Sequence, residues 1–202
     1  MAAAGKPASL AGVVLAGGVS PWEGRAKALK QVPGSHAPTT MVEHVVSVVG
    51  QRCQPVFVVA SPGQSLPELS AQVVRDDVRG HGQLSAISRG LHAAAEAGAR
   101  RAFLCSVDAS VLNADMIDLL AARAAEVDAD IVLPWDGSNH YLAAVYRTEL
   151  ATQIDDLVAA GERNLPALIE RADSQRVVIS GSPPPAAAKP ASGLRSLLGI
   201  GR

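Results

Sequence analysis

Between Leu15 and Lys27 the chain reads LAGGVSPWEGRAK, with the paired glycines Gly17 and Gly18 followed by a lysine. Glycines have no Cβ, so backbone amides there can approach an anion closely, and a lysine ammonium supplies a compact point charge for phosphate oxygens. Gly17, Gly18 and Lys27 are therefore candidates for holding phosphates. The stretch is neither a Walker loop nor G-x-G-x-x-G. An ordinary strand-to-loop turn with an exposed lysine accounts for the same residues. A second candidate is Asp108, directly after the apolar run RAFLCSV. A carboxylate at the mouth of an apolar strand is a hard oxygen ligand suited to Mg²⁺, which commonly takes one or two carboxylates plus substrate phosphates. The alternative is a loop aspartate bonded to nearby backbone amides.

These residues need a frame that brings them to one edge. Leu10–Ala16 is an apolar run halted by glycines and reads as a buried first strand. A polar loop runs on to about Pro38. Thr40–Gln51 reads as a helix, with Met41, Val45, Val48 and Val49 close to helical spacing. Thr39 or Thr40 serves as its N-cap, and Glu43 completes a capping box with Thr40. Strands follow at Pro55–Ala60 and Gln72–Arg75, a turn at Gly80–Gly82, and a helix at Leu84–Gly98. Arg101–Val107 is a fourth strand, and Asn113 caps a helix running through Glu126. Ile131–Leu133 and Tyr141–Tyr146 are further strands. Helices near Glu149–Ala160 and Leu165–Arg171 precede a last strand at Arg176–Ile179. Strands alternating with helices of this length predict a three-layer, Rossmann-like, doubly wound and mostly parallel α/β sheet. Ligands of such sheets bind beyond the carboxyl ends of the strands, where both Gly17-Gly18 and Asp108 fall. Residues 1–9 read as a flexible arm, 10–180 as the domain, and 181–202, with its GSPPPAAAKPASG segment, as a Pro/Ala-rich tail.

Hydrophobic residues make up 48% of the 202, enough to bury a core, and aromatics only 3%, so that core is aliphatic. With 18 basic and 19 acidic residues there is no positive excess to favour nucleic acid or a membrane surface. The N-terminal apolar run is too short to span a bilayer and lacks a signal-peptide pattern. Cys53 and Cys105 fall in apolar surroundings with no disulfide or zinc spacing, and read as core residues of a cytoplasmic protein.

Taken in order, several segments resemble the MobA-like nucleotidyltransferase family, and within it the molybdenum cofactor guanylyltransferases. They are LAGG-x-S-x3-G-x2-K from Leu15, Arg75-Asp76 with Gly82-Gln83-Leu84, and Cys105-Ser106-Val107-Asp108. Asp136-Gly137 ahead of Tyr141–Arg147, and Gly161-Glu162-Arg163, complete the set. The resemblance covers about Leu10 to Ile179. It implies a nucleotide-diphospho-sugar transferase-like fold. It also implies transfer of GMP from GTP to the molybdenum-bearing molybdopterin cofactor, with release of pyrophosphate and a Mg²⁺ ion assisting. Leu15 to Gly18 would hold the nucleotide, Lys27 would neutralise phosphates, Asp76 would contact the nucleoside, and Asp108 would hold the metal. Lys27 and Asp108 are the implied catalytic pair, and cofactor-delivery proteins the implied partners. Asp76 has Asp77 beside it as a second register. Gly80-His81-Gly82 is either a set of backbone donors to guanine or a plain turn, with His81 an exposed loop residue.

The departures from the family pattern cluster at the same site. Trp22 stands where the family has arginine, Glu23 where it has methionine, and Ala26 where it has aspartate. Gln83 replaces a proline, as does Ser110, which with Ala109 follows Asp108. The changes at 22 and 23 exchange a positive for a negative charge beside a bound triphosphate. A unit charge about 4 Å from another is worth about 4 kcal/mol at an effective dielectric near 20, before solvent screening. The expectation is a retained fold with weakened activity. The rival readings are an enzyme using CTP or another acceptor, and an impaired homologue that binds nucleotide or a partner. The G-x-G-T-R opening usual in sugar-phosphate nucleotidyltransferases is absent from the chain.

Overall fold

The structure is a computed structural model that describes residues 10–17, 26–34, 38–75, 82–109 and 112–179. The arm at 1–9, the tail from 180 on, Gly18, Trp22, Glu23, Asp76, Asp77, Gly80, His81 and Ser110 lie outside the described residues.

Strand β1 (Ala11–Leu15) is buried along its whole length. A run this continuously apolar cannot have a solvent face, so it takes the centre of a sheet covered on both sides. β2 (Val56–Ala60) and β4 (Arg101–Ser106) flank it in parallel, and β3 (Gln72–Arg75) continues the sheet beyond β2. On the other side come β6 (Ala143–Arg147), β5 (Ile131–Trp135) and β7 (Ser174–Val178), giving the order β3-β2-β1-β4-β6-β5-β7. β6 pairs antiparallel with both neighbours, while β5 and β7 are parallel to each other. The chain entering β6 therefore arrives at the edge where the other six strands end.

Helices α1 (Met41–Val49) and α3 (Ala114–Glu126) cover one face of the sheet, over Val14, Val58, Phe103 and Cys105. Helices α2 (Gly82–Glu96), α4 (Leu150–Ala159) and α5 (Leu165–Ile169) cover the other, over Val13, Phe57, Leu104 and Tyr146. Successive residues of β1 thus feed opposite layers, as the pleat requires. Two glycines set how closely the layers approach. A Cβ on Gly12 would lie 2.5 Å from Val49 Cγ1, and one on Gly90 would lie 2.3 Å from Val13 Cγ1. Helices α1 and α2 therefore grip β1 from opposite faces.

The capping box forms: Glu43 N donates to Thr40 Oγ1, and Thr40 N donates to Glu43 Oε2 at 2.7 Å. Asn113 caps α3 by accepting from Met116 N at 2.8 Å. The inward stripe of α1 differs from the expected one, being Val42, Val45, Val46 and Val49, with Met41 and Val48 only half-buried. In so valine-rich a helix more than one stripe fits helical spacing, and Val42, Val45, Val46 and Val49 are the set that packs on the sheet. Gly82 belongs to α2 and not to the preceding turn. The expected loop before Pro38 contains a short 3-10 turn, Lys27–Leu29, and a bridge between Gln31 and Thr40.

Candidate active site

The end of β1 is braced from β2 and from the loop beyond it. Ala16 N donates to Val59 O at 2.9 Å, and Gln64 Nε2 donates to Ala16 O at 2.9 Å. Gln64 is held in turn by Ser61 N, which donates to its Oε1 at 3.0 Å. Arg75, the last residue of β3, donates to Gln64 O. A Cβ on Gly17 would meet Ser61 Oγ at 3.0 Å, so this turn packs closely on the β2 loop. Gln64 and Ser61 carry no sequence signal that marks them for the site. Their role rests on a contact spanning 48 residues, which local spacing does not reveal.

Lys27 stands in the 3-10 turn, anchored by buried Ala28 and by Met41 N, which donates to Lys30 O at 2.7 Å. From there Lys27 Nζ donates to Asp108 Oδ2 at 2.7 Å, while Ser106 Oγ donates to Asp108 Oδ1 at 2.7 Å. The two charged candidates, predicted separately, are thus direct partners. Partial burial pushes the Asp108 carboxyl up, but the hydrogen bonds from Lys27 and Ser106 and the charge of Lys27 outweigh it. The group is held below the usual carboxylate range. Among the described residues no group of three or more His, Cys, Asp or Glu side chains could enclose a metal ion. A metal at Asp108 would complete its shell from substrate oxygens and water, the habit of Mg²⁺.

Beside Asp108 opens a cavity of about 350 Å³, lined among others by Gln83, Ser106, His140, Tyr141 and Leu165. His140 precedes β6, and its Nε2 lies 2.9 Å from Asp136 Oδ1. The hydrogen bond from His140, opposed by slight desolvation and aided by Ser138 N, holds the Asp136 carboxyl below its ordinary range. Gly82 closes the approach between α2 and the 161–164 loop. Its φ is +76°, and a Cβ there would lie 2.9 Å from Arg163 O. A larger hollow of about 720 Å³ adjoins that cavity against Gly82, Gln83 and Arg163, and others of about 960 and 560 Å³ lie toward the opposite ends of the strands, against Gln54-Pro55 and against Arg101 and Arg147.

Leu15, Ala16 and Gly17 are thus at the same edge as Lys27 and Asp108, between β1 and β4. Among the described residues no helix is long and apolar enough to cross a membrane. A mostly parallel sheet thus carries a lysine–aspartate pair at its carboxyl edge, where sheets of this kind hold their ligands. The model of the MobA-like NTP transferase domain matches residues 12–177, and the chain belongs to that family. It is 60% identical over 176 residues to the "probable molybdenum cofactor guanylyltransferase" of Mycobacterium marinum, covering 87% of each chain. The protein of the same name from Mycobacterium tuberculosis is 54% identical over 193 residues, covering 96% of this chain and 95% of its own. The fold is similar to that of molybdopterin-guanine dinucleotide biosynthesis protein A from Archaeoglobus fulgidus. There the TM-score is 0.66 at 17% identity, over 84% of this chain and 83% of that one.

Proposed function

We propose that this chain transfers GMP from GTP to the molybdenum-bearing molybdopterin cofactor. The observation that carries the reading is the meeting of Lys27 and Asp108, 2.7 Å apart, beside the braced end of β1. The shared name of relatives at 60% and 54% identity supports the substrates. A phosphate oxygen of the acceptor attacks the α-phosphorus of GTP and forms the new P–O bond. The bond from that phosphorus to the bridging oxygen breaks, and pyrophosphate departs with the electron pair. Such a reaction needs positioning and charge neutralisation more than covalent help from the protein.

The residues divide the work. The segment Leu15 to Gly18 holds the nucleotide at the end of β1, where Ala16 N is itself committed to Val59 O, and Asp76 contacts the nucleoside. Lys27 neutralises triphosphate charge, and Asp108 would hold Mg²⁺. When bound, the ion neutralises phosphate charge. Ser106 keeps the carboxylate oriented through its hydrogen bond to Oδ1. Trp22 and Glu23 lower the positive charge of the loop and weaken nucleotide affinity. Cofactor-delivery proteins supply the acceptor.

Calorimetric titration with GTP, with and without Mg²⁺ and with CTP as control, tests the reading. Magnesium-dependent binding of GTP in preference to CTP is expected, weakened about tenfold or more in Asp108→Ala. Preference for CTP would change the assigned base. No binding of either nucleotide at millimolar concentration would leave a non-catalytic homologue.

A further inference from the structure

The cavity beside Asp108 is built from segments of different origin, Gln83 of α2 and Leu165 of α5 among them, and two of these segments carry its charged and titratable groups. One is the end of β4, with Ser106 and Asp108. The other is the lead-in to β6, with His140 and Tyr141. The antiparallel insertion of β6 brings them together, since Ser106 N donates to Leu142 O at 3.1 Å. The far wall holds an oriented imidazole. Asp136 is ionised and can only accept, so His140 Nε2 carries the hydrogen that it donates across 2.9 Å. Asp136 Oδ1 is itself fixed by Ser138 N at 3.2 Å, and His140 N donates to Pro134 O at 3.3 Å. The ring is therefore held from both ends of the turn. Its second nitrogen, Nδ1, has no hydrogen-bond partner among the described residues, although the His140 side chain is only 23% exposed.

We infer that His140, held by Asp136, is the ligand for the phosphate of the acceptor on the side of the cavity opposite Lys27 and Asp108. This rests on the guanylyltransferase reading and assigns to it the second substrate's subsite. With Nε2–H committed to Asp136, Nδ1 is the ring atom left to share a hydrogen with an acceptor phosphate oxygen, and the Asp136 carboxylate supports positive charge on the ring. The donor's phosphates lie on the Lys27 side. An acceptor phosphate anchored at His140 reaches the α-phosphorus across the cavity, and the two anionic substrates meet separate cations.

The test is GMP transfer from GTP to molybdenum-loaded molybdopterin by wild type, His140→Ala and His140→Gln, with GTP affinity and circular dichroism measured alongside. The expected result for His140→Ala is an acceptor KM raised about tenfold or more, with GTP affinity and kcat within about twofold of wild type. His140→Gln, which keeps a donor for Asp136 but carries no charge, should fall between them. An unchanged acceptor KM in His140→Ala would overturn the assignment while leaving the reaction standing. A parallel loss of GTP affinity would overturn it too, by putting His140 on the donor's side. Direct binding of molybdopterin to the GTP-saturated protein gives the same comparison without turnover. If wild type neither transfers GMP nor binds molybdopterin, the functional reading fails, and this inference with it.

Discussion

Lys27 and Asp108 are 37% and 48% exposed, and an ion pair so open to water contributes about 0–1 kcal/mol to stability. Their importance is positional, because each holds the other at the mouth of the sheet. Lys27→Met and Asp108→Asn should therefore lower the free energy of urea unfolding by less than about 1 kcal/mol. GTP affinity should fall about tenfold or more in both. The reverse pattern, a large stability loss with unchanged GTP binding, would make the pair structural. The acid limb carries a sign as well. The folded Asp108 carboxyl lies below its unfolded value of 3.8. Its contribution is complete above that value and is lost as the pH falls through the lower folded one. Unfolding curves of wild type and Asp108→Asn should thus differ slightly at pH 7 and converge as the pH falls well below 3.8. Asp108 was legible from its type and its place at a strand end, and Lys27 from its type and its place in the loop after the first strand. Their pairing was not, since 81 residues separate them. His140 was not legible either, because its cue is an aspartate four residues earlier in a turn, with no periodicity to mark it.

Among the elements, α2 depends on two glycines for different reasons. At Gly90 the helix lies so near β1 that an added Cβ would sit 2.3 Å from Val13 Cγ1, and 3.1 Å from Val59 Cγ2. Neither valine can turn away without disturbing the opposite packing, so Gly90→Ala should cost about 1–3 kcal/mol. Gly98, just past the helix, has φ +84°, and a Cβ added there would meet nothing within 4 Å. There the constraint is conformational, and Asn should be tolerated better than Ala. Urea denaturation of Gly90→Ala, Gly90→Asn, Gly98→Ala and Gly98→Asn separates the two causes. Asn should be the worse replacement at 90 and the better one at 98, and the same ranking at both would refute this division. Features decided within one turn of chain, such as the Thr40–Glu43 box and the Asn113 cap, were readable from the sequence. The direction of β6 was not, because an apolar run has the same pattern whichever way it enters a sheet. That direction decides what stands opposite Asp108.

At the scale of the whole molecule, the two thiols report on how the layers hold together. Cys53 and Cys105 are buried in the same layer, under α1 and α3. Burial, with a smaller push from the Asp118 charge, raises the Cys53 thiol to about 12, and burial raises that of Cys105 as well. Neither can form a thiolate or meet a reagent at pH 8 until its surroundings open. Labelling with a thiol reagent should therefore be slow in the native protein and fast in denaturant. Equal native rates at the two positions would show that α1 and α3 open with the sheet as one unit. Fast reaction of Cys53 alone would show that α1 lifts away by itself. The same measurement tests the proposed nucleotide site at the carboxyl edge of the sheet. A ligand held only by the folded state suppresses opening by a factor of one plus its concentration over Kd. That is about 2.7 kcal/mol at a hundredfold excess over Kd. GTP with Mg²⁺ should then slow labelling of both buried cysteines about a hundredfold, and CTP should do so less. Slowing confined to one thiol would mean that binding stabilises only part of the sheet. No slowing at saturating GTP would contradict the proposed donor site directly.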